Sequence, residues 1–209
     1  MFDLPLKEPE AYWCGYLQAD GGIYTRARAK AHWKPVTYIM FGQKEREPVD
    51  EFHSFFEGRG QVRLKEYESN FGKASFHVAQ THNHALRLKE LGIKTDDWHE
   101  SLRHSPDFWR GMVDGDGSVG WVTNGGRQYP VIALCGSLSD MTHFSNYVTS
   151  LELRRPKVGA ARSIFRVALN GAPAVKLIKE LYYTDCYCAN QAKLERARSA
   201  AEWVGRARR

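Results

Sequence analysis

Hydrophobic spacing along the chain switches between helical and strand periods, and it runs through the same series twice. A helix is predicted over 8–19, then strands over 23–30 and 36–44. Segment 48–56 has helical spacing, with Val49, Phe52, Phe55 and Phe56 on one face. Strands over 61–67 and 74–80 and a helix over 83–91 complete the first unit. The second unit predicts helices over 107–115, 140–151 and 172–183, with strands over 118–123, 130–136, 157–161 and 164–169. Segment 92–106 is the expected connection and 189–203 a final packing helix. The predicted organisation is therefore one unit over 1–95, a linker over 96–106 and a second unit over 107–209.

The repetition extends to individual residues. Tyr12-Trp13-Cys14-Gly15-Tyr16-Leu17-Gln18-Ala19-Asp20-Gly21-Gly22-Ile23 matches Phe108-Trp109-Arg110-Gly111-Met112-Val113-Asp114-Gly115-Asp116-Gly117-Ser118-Val119 in register. Further on, Ser75-Phe76-His77-Val78-Ala79 is similar to Ile164-Phe165-Arg166-Val167-Ala168. In each first helix small residues lie four apart, Gly15 with Ala19 and Gly111 with Gly115. That spacing clears one helix face and lets two backbones approach. A glycine inside a helix costs about 1 kcal/mol relative to alanine, so close helix pairing is the expected reason. Trp13 and Trp109 are expected in the core rather than stacked on bases.

Each of these helices ends in Asp-Gly, and the glycine is expected to take a positive φ there. The aspartate runs against electrostatics, because an anion at a helix C-terminus meets the negative end of the dipole. Paired helices would also bring Asp20 and Asp116 together. Two carboxylates held against repulsion call for a cation, and magnesium suits a site of carboxylates, waters and phosphate oxygens. A single Asp-Gly is an ordinary turn; two in register, each ending the same kind of helix, are not.

Charge adds a direction. The net charge of +6 and pI near 9.1 favour a polyanionic partner. In the first strand Tyr24, Arg26, Arg28 and Lys30 share one face, and a later strand sets Gln61, Arg63, Lys65 and Tyr67 on one side. Basic faces free of acids suit a DNA groove. In the second unit Trp121, Thr123, Arg127, Gln128, Arg154, Lys157, Arg162 and Arg166 are the expected counterparts. The tail residues Arg196, Arg198, Arg206, Arg208 and Arg209 fit a solvated helix end as well as a DNA contact.

Hydrophobic residues at 43% and charged residues at 26% fit an ordinary globular protein. No apolar run approaches the ~20 residues that span a bilayer, so no membrane partner is expected. The first nine residues carry Asp3 and Glu8 and no signal core, and Cys14, Cys135, Cys186 and Cys188 read as reduced thiols. A cytoplasmic location is expected, next to the nucleoid of a prokaryote or phage-infected cell. Asp114-Gly115-Asp116-Gly117 fails as a calcium loop because Ser118 and Gly125 occupy ligand positions. His82-Asn83-His84 and the Cys186, Cys188 pair lack partners at zinc spacing.

Trp13-Cys14-Gly15-Tyr16-Leu17-Gln18-Ala19-Asp20-Gly21 and Trp109-Arg110-Gly111-Met112-Val113-Asp114-Gly115-Asp116-Gly117 resemble the two motifs of single-chain LAGLIDADG homing endonucleases. The resemblance covers nearly the whole chain. It implies an α+β fold of two pseudo-symmetric αββαββα repeats, with saddle-shaped antiparallel sheets and the two motif helices packed at the centre. It further implies a monomer that hydrolyses both strands of a long asymmetric double-stranded DNA target and leaves short 3′ overhangs. Asp20 and Asp116, with the preceding Ala19 and Gly115, would bind divalent metal, Mg2+ or another such as Mn2+. Gln43 or Lys44, Lys94 and Lys193 match places where the family sets polar residues around metal-bound water. Where the first unit has Gly42-Gln43-Lys44 the second has Cys135-Gly136-Ser137, so unequal cutting of the two strands is expected. The ends of the chain favour an intron-type or free-standing enzyme over an intein. An RNA-binding maturase and a non-cleaving DNA-binding regulator are the alternatives, and the presence of both acids favours cleavage.

Overall fold

The computed structural model describes residues 2–204 apart from 28–33, 57–60, 70–71 and 81, and leaves the side chains of 61–69, 72–80 and 82 outside the description. The chain runs α1 (Glu8–Asp20), β1 (Gly21–Arg26), β2 (Val36–Gln43), α2 (Glu47–Phe56), β3 (Gln61–Ser69), β4 (Gly72–Gln80) and α3 (His82–Glu90). A short α4 (Glu100–Arg103) lies in the connection. Then follow α5 (Pro106–Asp116), β5 (Gly117–Asn124), β6 (Arg127–Gly136), α6 (Leu138–Ser150), β7 (Gly159–Ala161), β8 (Ile164–Asn170), α7 (Ala172–Leu181) and α8 (Gln191–Ala201). The strands form two four-stranded sheets, ordered β1-β2-β4-β3 and β5-β6-β8-β7, antiparallel throughout. The expected α+β class with two antiparallel sheets is borne out.

Local chemistry sets where the helices begin. Ser105 caps α5 by accepting from the Phe108 N–H at 3.2 Å, with Pro106 in the first turn, where a missing N–H costs nothing. Ser137 and Asp140 form a reciprocal capping box at α6: the Asp140 N–H donates to Ser137 Oγ at 3.0 Å, and the Ser137 N–H to Asp140 Oδ2 at 3.1 Å. Beneath the first sheet Ile39 and Phe41 of β2 bury their side chains against Val49, Phe52 and Phe56 of α2, while Phe55 is half-buried. Ile132 and Leu134 of β6 do the same in the second half.

The two halves meet along α1 and α5. A Cβ on Gly15 would collide with the carbonyl of Phe108, and one on Gly111 with the carbonyl of Tyr12. Lower down, Gly115 faces the methyl group of Ala19. Backbone touches backbone, and any side chain at Gly15 or Gly111 would wedge the helices apart, at about 1–3 kcal/mol or more. Trp13 and Trp109 flank this seam and are fully buried, as expected.

Some expectations change. Gly21 and Gly117 have φ of −87° and −105°, extended rather than left-handed. They are glycine because each strand leaves its helix with no intervening loop and folds back on the last turn. A Cβ on Gly21 would stand 2.8 Å from the Leu17 carbonyl oxygen, and one on Gly117 would stand 2.6 Å from that of Val113. The connection is not featureless, since Trp98 and Leu102 in and before α4 are buried. In the second half β7 starts at Gly159, which leaves Lys157 in the preceding loop. The link from α7 to α8 is longer than expected, since α7 ends at Leu181 and α8 starts at Gln191, and it buries Tyr182, Cys186, Cys188 and Ala189.

Candidate active site

Because α1 and α5 lie side by side and end level, their last residues, Asp20 and Asp116, come together. A Cβ on Gly115 would stand 3.2 Å from Asp20 Oδ2, so the Asp20 carboxylate lies across the last turn of the opposite helix. Both aspartates keep an open side toward solvent. Partial burial, followed by the charge of Asp20, pushes the Asp116 carboxyl up to about 6. Asp20 is also raised by burial, but less freely, because Gln43 stabilises its charged form. The Gln43 Nε2–H donates to Asp20 Oδ2 at 2.5 Å from the last position of β2. Of the Gln43 and Lys44 alternatives it is thus Gln43 that reaches the acid; Lys44 lies exposed in the following turn.

Lys94 and Lys193 occupy matching places and show how each helix end tolerates its acid. Lys94 follows Gly92 in a tight turn after α3 and itself has φ of +66°, a left-handed conformation that a side chain rarely adopts. Its Nζ donates to the carbonyls of Gln18 at 2.9 Å and Ala19 at 3.2 Å. Lys193, in the first turn of α8, donates to the carbonyls of Val113 at 2.9 Å, Asp114 at 2.6 Å and Gly117 at 2.9 Å, with Gly115 at 3.5 Å. Each ammonium satisfies carbonyls left over at the C-terminus of a motif helix and offsets the dipole there. Burial lowers the pKa of both lysines and the aspartates hold it up. For Lys94 the strongest such support comes from Asp116, the acid of the other half. The Ala19 and Gly115 carbonyls, each taking one ammonium proton, keep a second lone pair.

The surroundings of the two acids differ. Strand register pairs Gly21 with Phe41 and Gly117 with Leu134, so the position matching Gln43 is Gly136. No side chain from β6 reaches Asp116 there. Asp140 of α6 stands in that space instead: a Cβ on Gly136 would be 3.1 Å from Asp140 Oδ2.

Two buried charges nearby escaped the sequence reading. Asp114 accepts from Tyr12 Oη at 2.7 Å, Tyr182 Oη at 2.6 Å and Cys188 Sγ at 3.0 Å. Arg110 donates to the carbonyls of Tyr187 and Leu181, both at 2.9 Å, and pairs with Glu8 and Asp107, both at 3.0 Å. Arg110 and Asp114 stand four apart within the buried stretch of α5, a spacing that puts them on one face and could have marked them. They fasten the α7–α8 link to α5, and α8 in turn carries Lys193.

The expected DNA contacts divide. Tyr24 and Arg26 are exposed on β1, with the Tyr24 ring stacked on Tyr38 at 5.7 Å. Arg28 and Lys30 lie outside the described residues, as do the side chains of Gln61, Arg63, Lys65 and Tyr67, whose backbone forms β3. The tail residues Arg206, Arg208 and Arg209 also lie outside. Register sets Gly120 and Val122 at the places of Tyr24 and Arg26, so Trp121 and Thr123 share the strand face of buried Val119. Both are nonetheless exposed, because the β5–β6 hairpin runs out past the core. Arg127 and Gln128 on β6, Arg154 and Lys157 before β7, Arg162 in the β7–β8 turn and Arg166 on β8 are all exposed.

By sequence, no protein-family model and no curated protein matches the chain. By structure it is similar to the LAGLIDADG meganuclease I-AabMI bound to uncleaved DNA, at 11% identity and a TM-score of 0.63, covering 94% of this chain and 90% of that one. The I-SmaMI LAGLIDADG homing endonuclease bound to cleaved DNA gives 11% identity and 0.63, covering 94% and 89%. I-DmoI in complex with DNA and Ca gives 10% and 0.61, covering 88% and 94%. The chain thus has the fold of the single-chain, two-motif LAGLIDADG homing endonucleases.

Proposed function

We propose that this protein is a site-specific homing endonuclease, a monomer that hydrolyses both strands of double-stranded DNA with the help of a divalent cation. The observation that carries the reading is the pair of carboxylates, Asp20 and Asp116, brought together from two helix ends against their mutual repulsion, with Asp116 raised to about 6. Neighbours of the same fold bound to uncleaved and cleaved DNA, and one with DNA and Ca, support the substrate and the cation class.

The donors fit a hard cation. The chemistry available is carboxylate oxygen from Asp20 and Asp116 and carbonyl oxygen from Ala19 and Gly115, with no histidine or thiolate among it. Among the described residues no three His, Cys, Asp or Glu side chains converge, so water and DNA phosphates would complete the shell. That suits Mg2+, which keeps several waters and takes few carboxylates; Mn2+ accepts similar oxygen donors. When bound, such an ion polarises the phosphodiester and eases deprotonation of an attacking water.

The protein's own residues hold and orient. Gln43 fixes the Asp20 carboxylate through its amide. Lys94 and Lys193 neutralise the helix ends on which the acids stand, and the third proton of Lys94 is left for water or phosphate. Tyr24, Arg26, Trp121, Arg127, Gln128, Arg162 and Arg166 present exposed polar, basic or aromatic side chains for a duplex, with phosphate contacts positioning it and base-edge contacts specifying it. To test the reading, a randomised duplex library is incubated with the protein with and without Mg2+ and the ends are sequenced. Clustered ends that require Mg2+ are expected. Intact binding with no metal-dependent ends would overturn the reading.

A further inference from the structure

We propose that Asp140 is a further positioning residue of the Asp116 centre, supplying toward its cation the supporting group that Gln43 supplies to Asp20. This rests on the metal-dependent reading above.

Asp140 is only 9% exposed. Its Oδ2 is used by the Ser137 N–H in the α6 capping box. Its Oδ1 is buried and has no hydrogen-bond partner among the described residues. A capping role explains one oxygen and leaves the other orphaned, which a buried polar atom rarely tolerates without a reason. The helix position matching Asp140 in α2, the third residue, is Val49, a buried apolar side chain. The second half thus carries a buried acid where the first carries hydrocarbon.

The place of the carboxyl relates Asp140 to the Asp116 centre. The carboxyl fills the space beside Gly136, the register equivalent of Gln43, and the absence of a side chain at 136 is what admits it. The charge of Asp140 acts on Asp116 and on Lys94, the two groups that define this centre. The two centres therefore differ in kind: Asp20 has a neutral amide donor beside it, Asp116 a second anion. A cation at Asp116 meets more negative charge, with Asp140 acting through bound water rather than as a direct ligand, since among the described residues no three acidic side chains converge.

Mn2+ titrated into the full chain and followed by electron paramagnetic resonance tests this without relying on cleavage. Wild type is expected to show two classes of site. Asp140→Asn, which keeps a capping oxygen, should weaken one class by at least about fivefold and leave the other unchanged. Ser137→Ala breaks the capping box but leaves the carboxylate, so it should bind Mn2+ like wild type while melting at a lower temperature. Wild-type affinity in Asp140→Asn, or an equal loss in Ser137→Ala, would overturn the assignment alone. If Asp20→Asn and Asp116→Asn also left Mn2+ binding unchanged, or if wild type bound none, the metal reading itself would fail with it.

Discussion

The Asp20 and Asp116 centres are copies in backbone and strangers in support. Both acids end a helix packed backbone-to-backbone on its partner, both precede a glycine folded against the last helical turn, and both have a lysine capping the helix end. Yet Asp20 is held by Gln43, while the matching place in the second half is Gly136, with Asp140 beside it. Lys94 spends two hydrogen bonds on its helix end and Lys193 is saturated by carbonyls. Duplication preserved what the fold needs, which is close helices and neutralised termini. The groups that only tune chemistry were free to diverge.

The largest expected effect comes from removing either acid. Asp20→Asn or Asp116→Asn should lower duplex cleavage at least ~10³-fold, about 4 kcal/mol, while a gel-shift assay shows retained binding. The Asp116 change should also raise the melting temperature of the metal-free protein at pH 8, because it deletes a repelled charge. Next comes the seam that brings the halves together. Gly111→Val should destabilise by about 3 kcal/mol or more in urea unfolding, since its side chain meets the Tyr12 carbonyl. A difference between the lysines follows: Lys193→Met should lose about 2 kcal/mol and Lys94→Met about 1, since more helix-end carbonyls lose their donor at Lys193.

A pH series sharpens the comparison further. The Asp116 pKa in the folded chain, about 6, lies above its ordinary 3.8. For this group, stability of the metal-free protein is greatest below 3.8 and declines as pH rises through about 6. Cation binding and cleavage run the opposite way, falling as pH drops through about 6, and melts and strand-resolved rates over that range should show both trends. The smallest effect expected is for Gln43→Ala, which should slow one strand by about tenfold and leave the other near its wild-type rate.

Much of this was legible in the chain itself. The switch from helical to strand period locates the elements, and Gly15, Ala19, Gly111 and Gly115 announce the helix seam. What stayed hidden depends on three-dimensional proximity. The conformation of Gly21 and Gly117 is set by how steeply a strand leaves its helix, which no dipeptide records. Trp121 and Thr123 stand on the strand face opposite to that of Tyr24 and Arg26, because a shift of one residue reverses every side chain. Asp140 forms one half of a capping box, and its unpartnered second oxygen shows only in three dimensions. Asp114 is hidden within a motif as one acid among glycines, and its three donors come from distant segments.

The most direct test of two catalytic centres unequally supported is to cut a duplex recovered from the library, in Mg2+ at pH 8, with each strand labelled separately. The account predicts two distinct first-order rate constants in the wild type and no linear product from Asp20→Asn or Asp116→Asn. Equal rates on the two strands would contradict the asymmetry, and undiminished linear product from either variant would contradict the roles of the acids themselves.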